Sequence, residues 1–374
     1  MPTVFFIDTA EKTASVVHSF LCFIIVKKWN LFVERNFIHV LDEQSLKSWL
    51  VEHGEAPFRA KQIFNWLWER CARNLDEMTN IGKGVRKKMS SSFICSPLSL
   101  VKKEESEETI KFLWKLHDGA LVESVLICAP GRSTVCVSSQ VGCGMRCSFC
   151  ASGKVGFIRN LEASEIASQV LYINRYLTEK DGGVTHVVYM GMGEPLQNYE
   201  NVVESIRMLT DRFGISRRRV TVSTVGVIEG IERLSGEGLG INLALSLHAP
   251  NQKLRQKLIP YARSVDLGEL LFAIEQFREK TGREVTYEYI LIQGVNDSTE
   301  DAGELASLLH KRGGCVNLIP YNPVEGVRMK RPCKEEIERF RAVLRREGVA
   351  NTCRYTKGKK ISAACGQLAL HSFE

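Results

Sequence analysis

The sequence predicts an α/β chain: an open, partial (β/α)6 TIM-like barrel preceded by a small N-terminal helical domain and a linking β-hairpin. Three observations carry this. Near-continuous apolar runs at 133–138, 184–191, 219–223, 241–247, 285–292 and 316–320 alternate with amphipathic stretches such as 162–178, 199–212, 267–279 and 300–312; strands buried on both faces, with helices between them, make a parallel sheet. The stretch before residue 96 has helical periodicity. Between the two lies a segment of short alternating bursts, the pattern of a hairpin. Six strand–helix units are fewer than a complete barrel needs, so the barrel stays open.

In chain order, residues 1–35 have no clear period and form an extension of uncertain order. Its apolar run Val16–Val26 falls short of the roughly 20 residues that cross a bilayer. Its charges, Lys27 and Lys28, follow the run rather than precede it, unlike a signal peptide. Residues 36–96 form the helical domain: Asp42 caps a helix carrying Leu46, Trp49, Leu50 and Val51, and Pro57 suits a first helical turn. Ile63, Phe64, Trp66, Leu67 and Trp68 give its apolar face, and the tryptophans belong to core packing before base stacking. In 97–130, Thr109–Leu116 and Leu121–Ile127 flank a turn at Asp118-Gly119. Residues 131–356 hold the barrel, and 357–374 form a C-terminal tail.

Composition narrows the class. At 374 residues the chain has room for two or three units. Its 44% hydrophobic and 25% charged residues are those of a soluble globular protein. A net charge of +7 permits a nucleic-acid partner without requiring one. Twelve cysteines are too dilute for a secreted disulfide scaffold, and Cys22, Cys71, Cys95, Cys128, Cys315, Cys333 and Cys353 read as small buried residues. A cytoplasmic monomer with no membrane segment is expected. No strand leads into a G-x-G-x-x-G turn, which disfavours a dinucleotide-type methyltransferase fold.

The chemistry-bearing stretch is Cys136-Val-Ser-Ser-Gln-Val-Gly-Cys143-Gly-Met-Arg-Cys147-Ser-Phe-Cys150. Cys143, Cys147 and Cys150 have the spacing C-x3-C-x2-C. Soft thiolates so close in sequence converge on one metal centre. A structural zinc site wants four ligands, whereas a 4Fe-4S cluster held by three cysteines leaves one iron open to a substrate. On the residues alone, Cys136 is either a fourth ligand or a buried thiol, and Cys365 is a core residue. The first barrel strand runs straight into this loop, which places the loop at the C-terminal end of the strands, where such barrels work. Other strand ends carry Gly193 and Glu194, then Ser223, then Ser246, Leu247 and His248, then Asn296. The glycines of Met190-Gly-Met-Gly-Glu-Pro allow close backbone approach, and Glu194 suits a cationic amine. His248 is equally suited to capping the helix after Pro250.

C-x3-C-x2-C after the first strand, with Gly-Glu-Pro after the second, resembles the radical S-adenosylmethionine (SAM) superfamily. Cys136-Val-Ser-Ser-Gln-Val-Gly-Cys143, Met190-Gly-Met-Gly-Glu-Pro, Ser246-Leu-His-Ala-Pro-Asn, Gly294-Val-Asn-Asp and Ala364-Cys365-Gly-Gln-Leu together resemble the RlmN family of RNA methyltransferases, over Leu41 to Leu368. The resemblance implies a radical SAM barrel, with SAM and a 4Fe-4S cluster on Cys143, Cys147 and Cys150 as cofactors. It implies SAM contacts from Gly193, Glu194, Ser223, Ser246, Leu247, His248 and Asn296. It further implies methylation of adenine carbon 2 in 23S rRNA and tRNA, with two SAM molecules per turnover. In that scheme Cys365 accepts a methyl group and its methylene adds to the base. Cys136 then resolves the adduct through a transient disulfide, and Glu123 accepts a proton. A low-potential donor such as flavodoxin or ferredoxin supplies electrons. The related carbon-8 rRNA methyltransferases share these motifs, and a non-catalytic iron–sulfur RNA-binding module is the alternative of another class. Phosphate contacts are expected from Arg217–Arg219, the Lys83–Lys88 cluster, Arg354, Lys357, Lys359 and Lys360.

Overall fold

The structure, a computed structural model, describes residues 36–310, 312–354 and 361–368. The 1–35 extension and the phosphate candidates Lys357, Lys359 and Lys360 lie outside the described residues. The helical unit starts and ends on one short parallel pair, β1 (Asn36–Phe37) with β2 (Phe93–Ile94). Between them α1 (Glu43–Glu52) is capped by Asp42, whose Oδ1 accepts from Ser45 N at 2.6 Å, and turns Leu46 and Leu50 inward. α2 (Arg59–Phe64) runs on as a wider turn over Asn65–Glu69, and α3 (Lys83–Ser92) completes the unit. Trp68 is core, packed edge-on against the buried His39. Trp66 is half-buried and stacks under Arg70, 4.4 Å from its guanidinium carbon.

The segment expected as a linking hairpin is three antiparallel strands: β3 (Leu98–Ser106), β4 (Thr109–Leu116) and β5 (Leu121–Ala129). They do more than link, because β5 pairs with the first barrel strand, β6 (Arg132–Cys136), and continues its sheet. The short strand β7 (Gln140–Gly142) leads into the cysteine loop. After it come α4 (Ala151–Val155), β8 (Phe157–Asn160), which pairs back on β7, and α5 (Ala163–Thr178). The barrel then alternates through β9 (His186–Tyr189), α6 (Tyr199–Arg207), β10 (Val220–Thr224), α7 (Ile228–Gly236) and β11 (Asn242–Ser246). α8 (Gln252–Leu258), α9 (Leu267–Thr281), β12 (Val285–Leu291), α10 (Thr299–Leu309) and β13 (Cys315–Pro320) follow, and α11 (Lys334–Arg346) leads to β14 (Asn351–Cys353).

The ten strands form one sheet in the order β14-β13-β12-β11-β10-β9-β6-β5-β4-β3, parallel from β6 to β14. All six expected barrel strands are present. β14 is a further parallel strand that the apolar runs did not announce, since Asn351-Thr-Cys353 has no hydrophobic stretch to mark it. Strand-level apolar residues such as Val187, Val222, Leu243, Leu245 and Leu318 are fully buried, each worth roughly 1.5–3 kcal/mol against exposure. One row breaks the apolar rule. Ser246, Glu288, Asn317 and Thr352 stand in register across β11 to β14. Thr352 Oγ1 meets Asn317 Oδ1 at 3.0 Å, and Asn317 Nδ2 donates to Glu288 Oε2 at 2.7 Å.

Candidate active site

At the C-terminal ends of the parallel strands is a cavity of about 140 Å³. Cys143, Cys147 and Cys150 line one side of it; Gly193, Glu194, Ser223, Ser246 and His248 line the others, and Cys365 reaches it from the far end of the chain. A larger cavity of about 800 Å³ lies elsewhere, on the helical unit, walled by Arg73, Lys83, Arg86, Lys87 and His117.

The cysteine loop is held from both sides. Cys143 N donates to Gly156 O at 3.0 Å, and Ser148 N and Oγ both donate to Leu258 O, at 2.9 and 3.2 Å. Gly142, with φ +73°, faces Gly156 O so closely that a Cβ would lie 1.7 Å from it. Burial pushes the Cys143 thiol up to about 12 and raises Cys147 and Cys150 as well. For Cys147, burial is joined by the neighbouring Cys150 and Cys143. Three soft donors on one cavity, Cys143 buried and Cys147 and Cys150 half-buried, beside an oxygen-bearing wall have the chemistry of a three-thiolate iron–sulfur site with a small polar molecule next to it. These thiolates would hold the cluster, and Glu194, Ser223, Ser246 and His248 would face its open side.

Glu194 opens a short turn after β9. Its Oε2 accepts from Val225 N at 2.9 Å and its Oε1 from Leu196 N at 3.1 Å, while its own N donates to Gln140 Oε1 at 2.9 Å. Burial outweighs those bonds and pushes its carboxyl up to about 7. A buried carboxylate in that state recovers its charge when an ammonium sits beside it. Gly193, at φ +102°, allows the approach, since a Cβ there would lie 2.6 Å from Gln140 Cβ. Ser223 and Ser246 lie with their hydroxyls 3.3 Å apart.

His248 does not cap the next helix; Asn251 does, accepting from Leu254 N at 2.9 Å. Held at φ +60°, His248 accepts at Nδ1 from Ile290 N at 3.0 Å. That acceptor role puts its proton on Nε2. Burial, then Arg255, depress it to about 3, so it is neutral at physiological pH. Phe149, between two of the loop cysteines, stands edge-on to it with ring centroids 4.9 Å apart. Leu247 and Asn296 are fully buried and do not line the cavity. Asn296 Nδ2 donates to His248 O at 2.9 Å and Ile290 O at 2.6 Å, and its Oδ1 accepts from Ile292 N at 2.8 Å, which fixes the backbone that presents His248.

The tail is stitched to the same loop. Ala151 N donates to Gly366 O at 2.8 Å, Ser152 Oγ to Leu368 O at 2.5 Å, and Gln367 Nε2 to Pro323 O at 2.8 Å. Asn322 Nδ2 donates to Cys365 O at 3.2 Å. Cys136 lies behind the cavity wall, packed with Val125, Met190, Ala363 and Leu368. Burial, then the nearby Cys365, push its thiol up to about 12. Both cysteines are free thiols here. Glu123 is fully buried and does not line the cavity; it shares a face of β5 with Val125, the cross-strand partner of Cys136. Lys111 Nζ is 3.3 Å from its carboxylate, and its backbone oxygen accepts from Ser138 Oγ at 2.5 Å.

Two charged cavity residues went unassigned to the site by sequence reasoning. Glu288 is buried and its carboxyl is raised by burial; a charged residue inside the apolar run 285–292 was the available signal. Arg354, expected on RNA phosphates, is exposed and also borders the cavity, its guanidinium 3.9 Å from Cys365 Sγ and 4.0 Å from Met190 Sδ. Of the other basic candidates, Arg217 pairs with Asp211, Lys88 with Glu55 and Arg86 with Asp76. No helix among the described residues is long and apolar enough to cross a membrane.

Comparison with known proteins agrees with this geometry. Residues 38–95 match the family described as ribosomal RNA large subunit methyltransferase N-terminal domain, and residues 137–306 match the radical SAM superfamily. A protein of Protochlamydia amoebophila named probable dual-specificity RNA methyltransferase RlmN 2 is 55% identical over 89% of this chain and 94% of its own. A Caldicellulosiruptor saccharolyticus protein named probable dual-specificity RNA methyltransferase RlmN is 46% identical over 86% of this chain and 94% of its own. The crystal structure of a radical SAM methyltransferase from Sphaerobacter thermophilus superposes with a TM-score of 0.87 at 44% identity, covering 89% of this chain and 99% of that one. The superfamily's cofactors are a 4Fe-4S cluster and SAM, and the chain belongs to the RlmN family of radical SAM RNA methyltransferases.

Proposed function

We propose that the chain methylates carbon 2 of adenosine in two RNA classes, 23S rRNA at the peptidyl-transferase centre and tRNA next to the anticodon. The reaction runs through S-methylated Cys365 and a transient protein–RNA adduct and consumes two SAM molecules. One observation supports this above the others: Cys365, from the C-terminal tail, lines the same cavity as the three-cysteine loop, with Cys136 close behind it.

Carbon 2 of adenine is electron-poor, and no ordinary base makes it a nucleophile. When bound, the cluster and SAM supply the methyl group and the hydrogen-abstracting radical that the reaction needs. The residues do the rest. Cys143, Cys147 and Cys150 hold the cluster; Gly193 and Glu194 receive the ammonium of SAM, with Ser223, Ser246 and the Nε2–H of His248 beside them. Leu247 and Asn296 set the backbone of that wall. Cys365 accepts the methyl group on sulfur and carries its carbon to the base, and Glu123 takes up the proton lost from carbon 2. Cys136 then attacks the Cys365 sulfur; the carbon–sulfur bond breaks, its electron pair passes to the methylene carbon, and that carbon takes up a proton to become the methyl group of the released RNA, leaving a disulfide that an external two-electron reductant returns to two thiols. Burial keeps Cys136 a thiol until that step, so it does not compete earlier.

A low-potential donor of the flavodoxin or ferredoxin type supplies single electrons. The target adenine leaves its stack to reach the cavity. The basic walls of the larger cavity on the helical unit, Arg73, Lys83, Arg86 and Lys87, offer phosphate contacts.

Two variants test the reading under anaerobic reconstitution. Cys365→Ala cleaves SAM but methylates no RNA. Cys136→Ala accumulates a covalent protein–RNA adduct, visible on a denaturing gel; normal turnover by this variant would overturn the two-cysteine scheme. Mass mapping of the product reads 2-methyladenosine, whereas 8-methyladenosine would assign the chain to the related resistance-type activity.

A further inference from the structure

Arg255 heads the large side chains that are fully buried among the described residues, and the chemistry above leaves it without a task. It lies on α8, which is wedged between the cysteine loop and the strand ends; Leu258, at the end of the same helix, takes the two hydrogen bonds from Ser148. Arg255 Nη2 donates to Val225 O and, at 3.4 Å, to Ser246 O. Its Nε and Nη1 have no hydrogen-bond partner, and among the described residues no carboxylate pairs with it. Burial draws its pKa down to about 10, which leaves it a cation at neutral pH, and the one charge pulling the other way is that of Cys147. A buried cation without a counter-ion is strongly unfavourable, so the arrangement makes sense only with an anion beside it.

We infer that Arg255 is a positioning residue for the loaded site, its counter-ion being the thiolate-ligated cluster at Cys147. This rests on the cluster reading above. A cluster with three thiolates is net negative and gains one more negative charge when a low-potential one-electron carrier reduces it; no bond is broken and no proton is needed. A fixed cation beside the cluster favours the reduced form and raises the potential at which it accepts the electron. In the chain without cluster the same charge is a burden.

The test uses the full-length chain, reconstituted anaerobically. Iron and sulfide content of the unaltered protein checks the cluster reading by itself; absence of both would sink that reading, whatever Arg255 does. The midpoint of an EPR-monitored redox titration then reads Arg255. Arg255→Met is expected to lower the ratio of reduced to oxidised cluster at fixed poise about tenfold, 59 mV for one electron, while Arg255→Lys restores most of it. Thermal unfolding with and without cluster gives the second reading: Arg255→Met leaves the cluster-free form as stable as before, or more so, and shrinks the gain on loading. An unchanged midpoint at full iron content, or equal destabilisation of both forms, would reduce Arg255 to a brace for the Val225 and Ser246 carbonyls and refute the inference. Arg255→Gln, which keeps a donor for Val225 without the charge, is read by the same two measurements if the methionine variant does not fold.

Discussion

Glu194 offers the sharpest quantitative test, because its environment converts directly into a pH dependence. Its carboxyl moves from the ordinary 4.5 to about 7 on folding, through burial. A carboxyl raised in this way favours the folded state below the unfolded value and loses that advantage as pH climbs through the folded one. The window is therefore about pH 4.5 to 7. At ~1.4 kcal/mol per unit, the ligand-free protein loses roughly 2.5 kcal/mol from this group between pH 5 and pH 8.

Glu194→Gln removes the titration while keeping one oxygen for Val225 N or Leu196 N, so any hydrogen bond it sacrifices costs the same at both pH values. His248 contributes in the opposite direction, its depressed value protecting stability above about 6.5 and losing it as pH falls. It does so identically in both proteins, and the difference between them isolates Glu194. Urea unfolding of both proteins at pH 5 and pH 8 is the assay. A parallel pH response in the two would refute the claim that this carboxylate is held uncompensated. With SAM present, the wild-type loss should shrink, because the ligand's ammonium restores the missing charge.

Other expectations follow from single contacts. Gly193→Ala forces a side chain into a left-handed conformation against Gln140 and is expected to cost about 1–3 kcal/mol, with SAM affinity lost, as read by unfolding and calorimetry; unaltered SAM binding would show that the turn adapts. Asn296→Ala strands Ile292 N, His248 O and Ile290 O, for a loss of roughly 1–3 kcal/mol, and weakens SAM binding although the side chain does not line the cavity. If only stability moved, Asn296 would have no part in presenting His248. Arg354→Ala should impair methyl loading of Cys365, followed by mass spectrometry of the tail peptide, more than it weakens RNA binding; the reverse ranking would return it to the phosphate contacts.

What sequence reasoning could see depended on whether a residue's role was local. The barrel strands were legible because burial on both faces demands long apolar runs, and the convergence of Cys143, Cys147 and Cys150 on one cavity because residues so close in sequence need no large fold to gather them. β14 was not, because Asn351-Thr-Cys353 is secured by pairing with β13 and carries no apolar signature. The β3–β5 segment read as a hairpin; nothing in its alternation tells whether the outer strand edge stays free or joins β6. Arg354 and Arg255 looked like any surface cation, and only the fold decides that one borders the cavity and the other is sealed beneath it. The likeness of several motif blocks to one family carried Cys365, which neither composition nor spacing distinguishes.

The attachment of the tail has a consequence for handling the protein. Cys150 is followed directly by Ala151 and Ser152, the two residues that grip Gly366 and Leu368. With the cluster held as proposed, metal loading and tail docking share this support, and loosening the loop leaves the segment carrying Cys365 resting on its bonds to Asn322 and Pro323. Limited proteolysis near residue 365 is therefore a test of the cluster assignment: a preparation stripped of iron is expected to be clipped there sooner than a loaded one, before any colour or activity is measured.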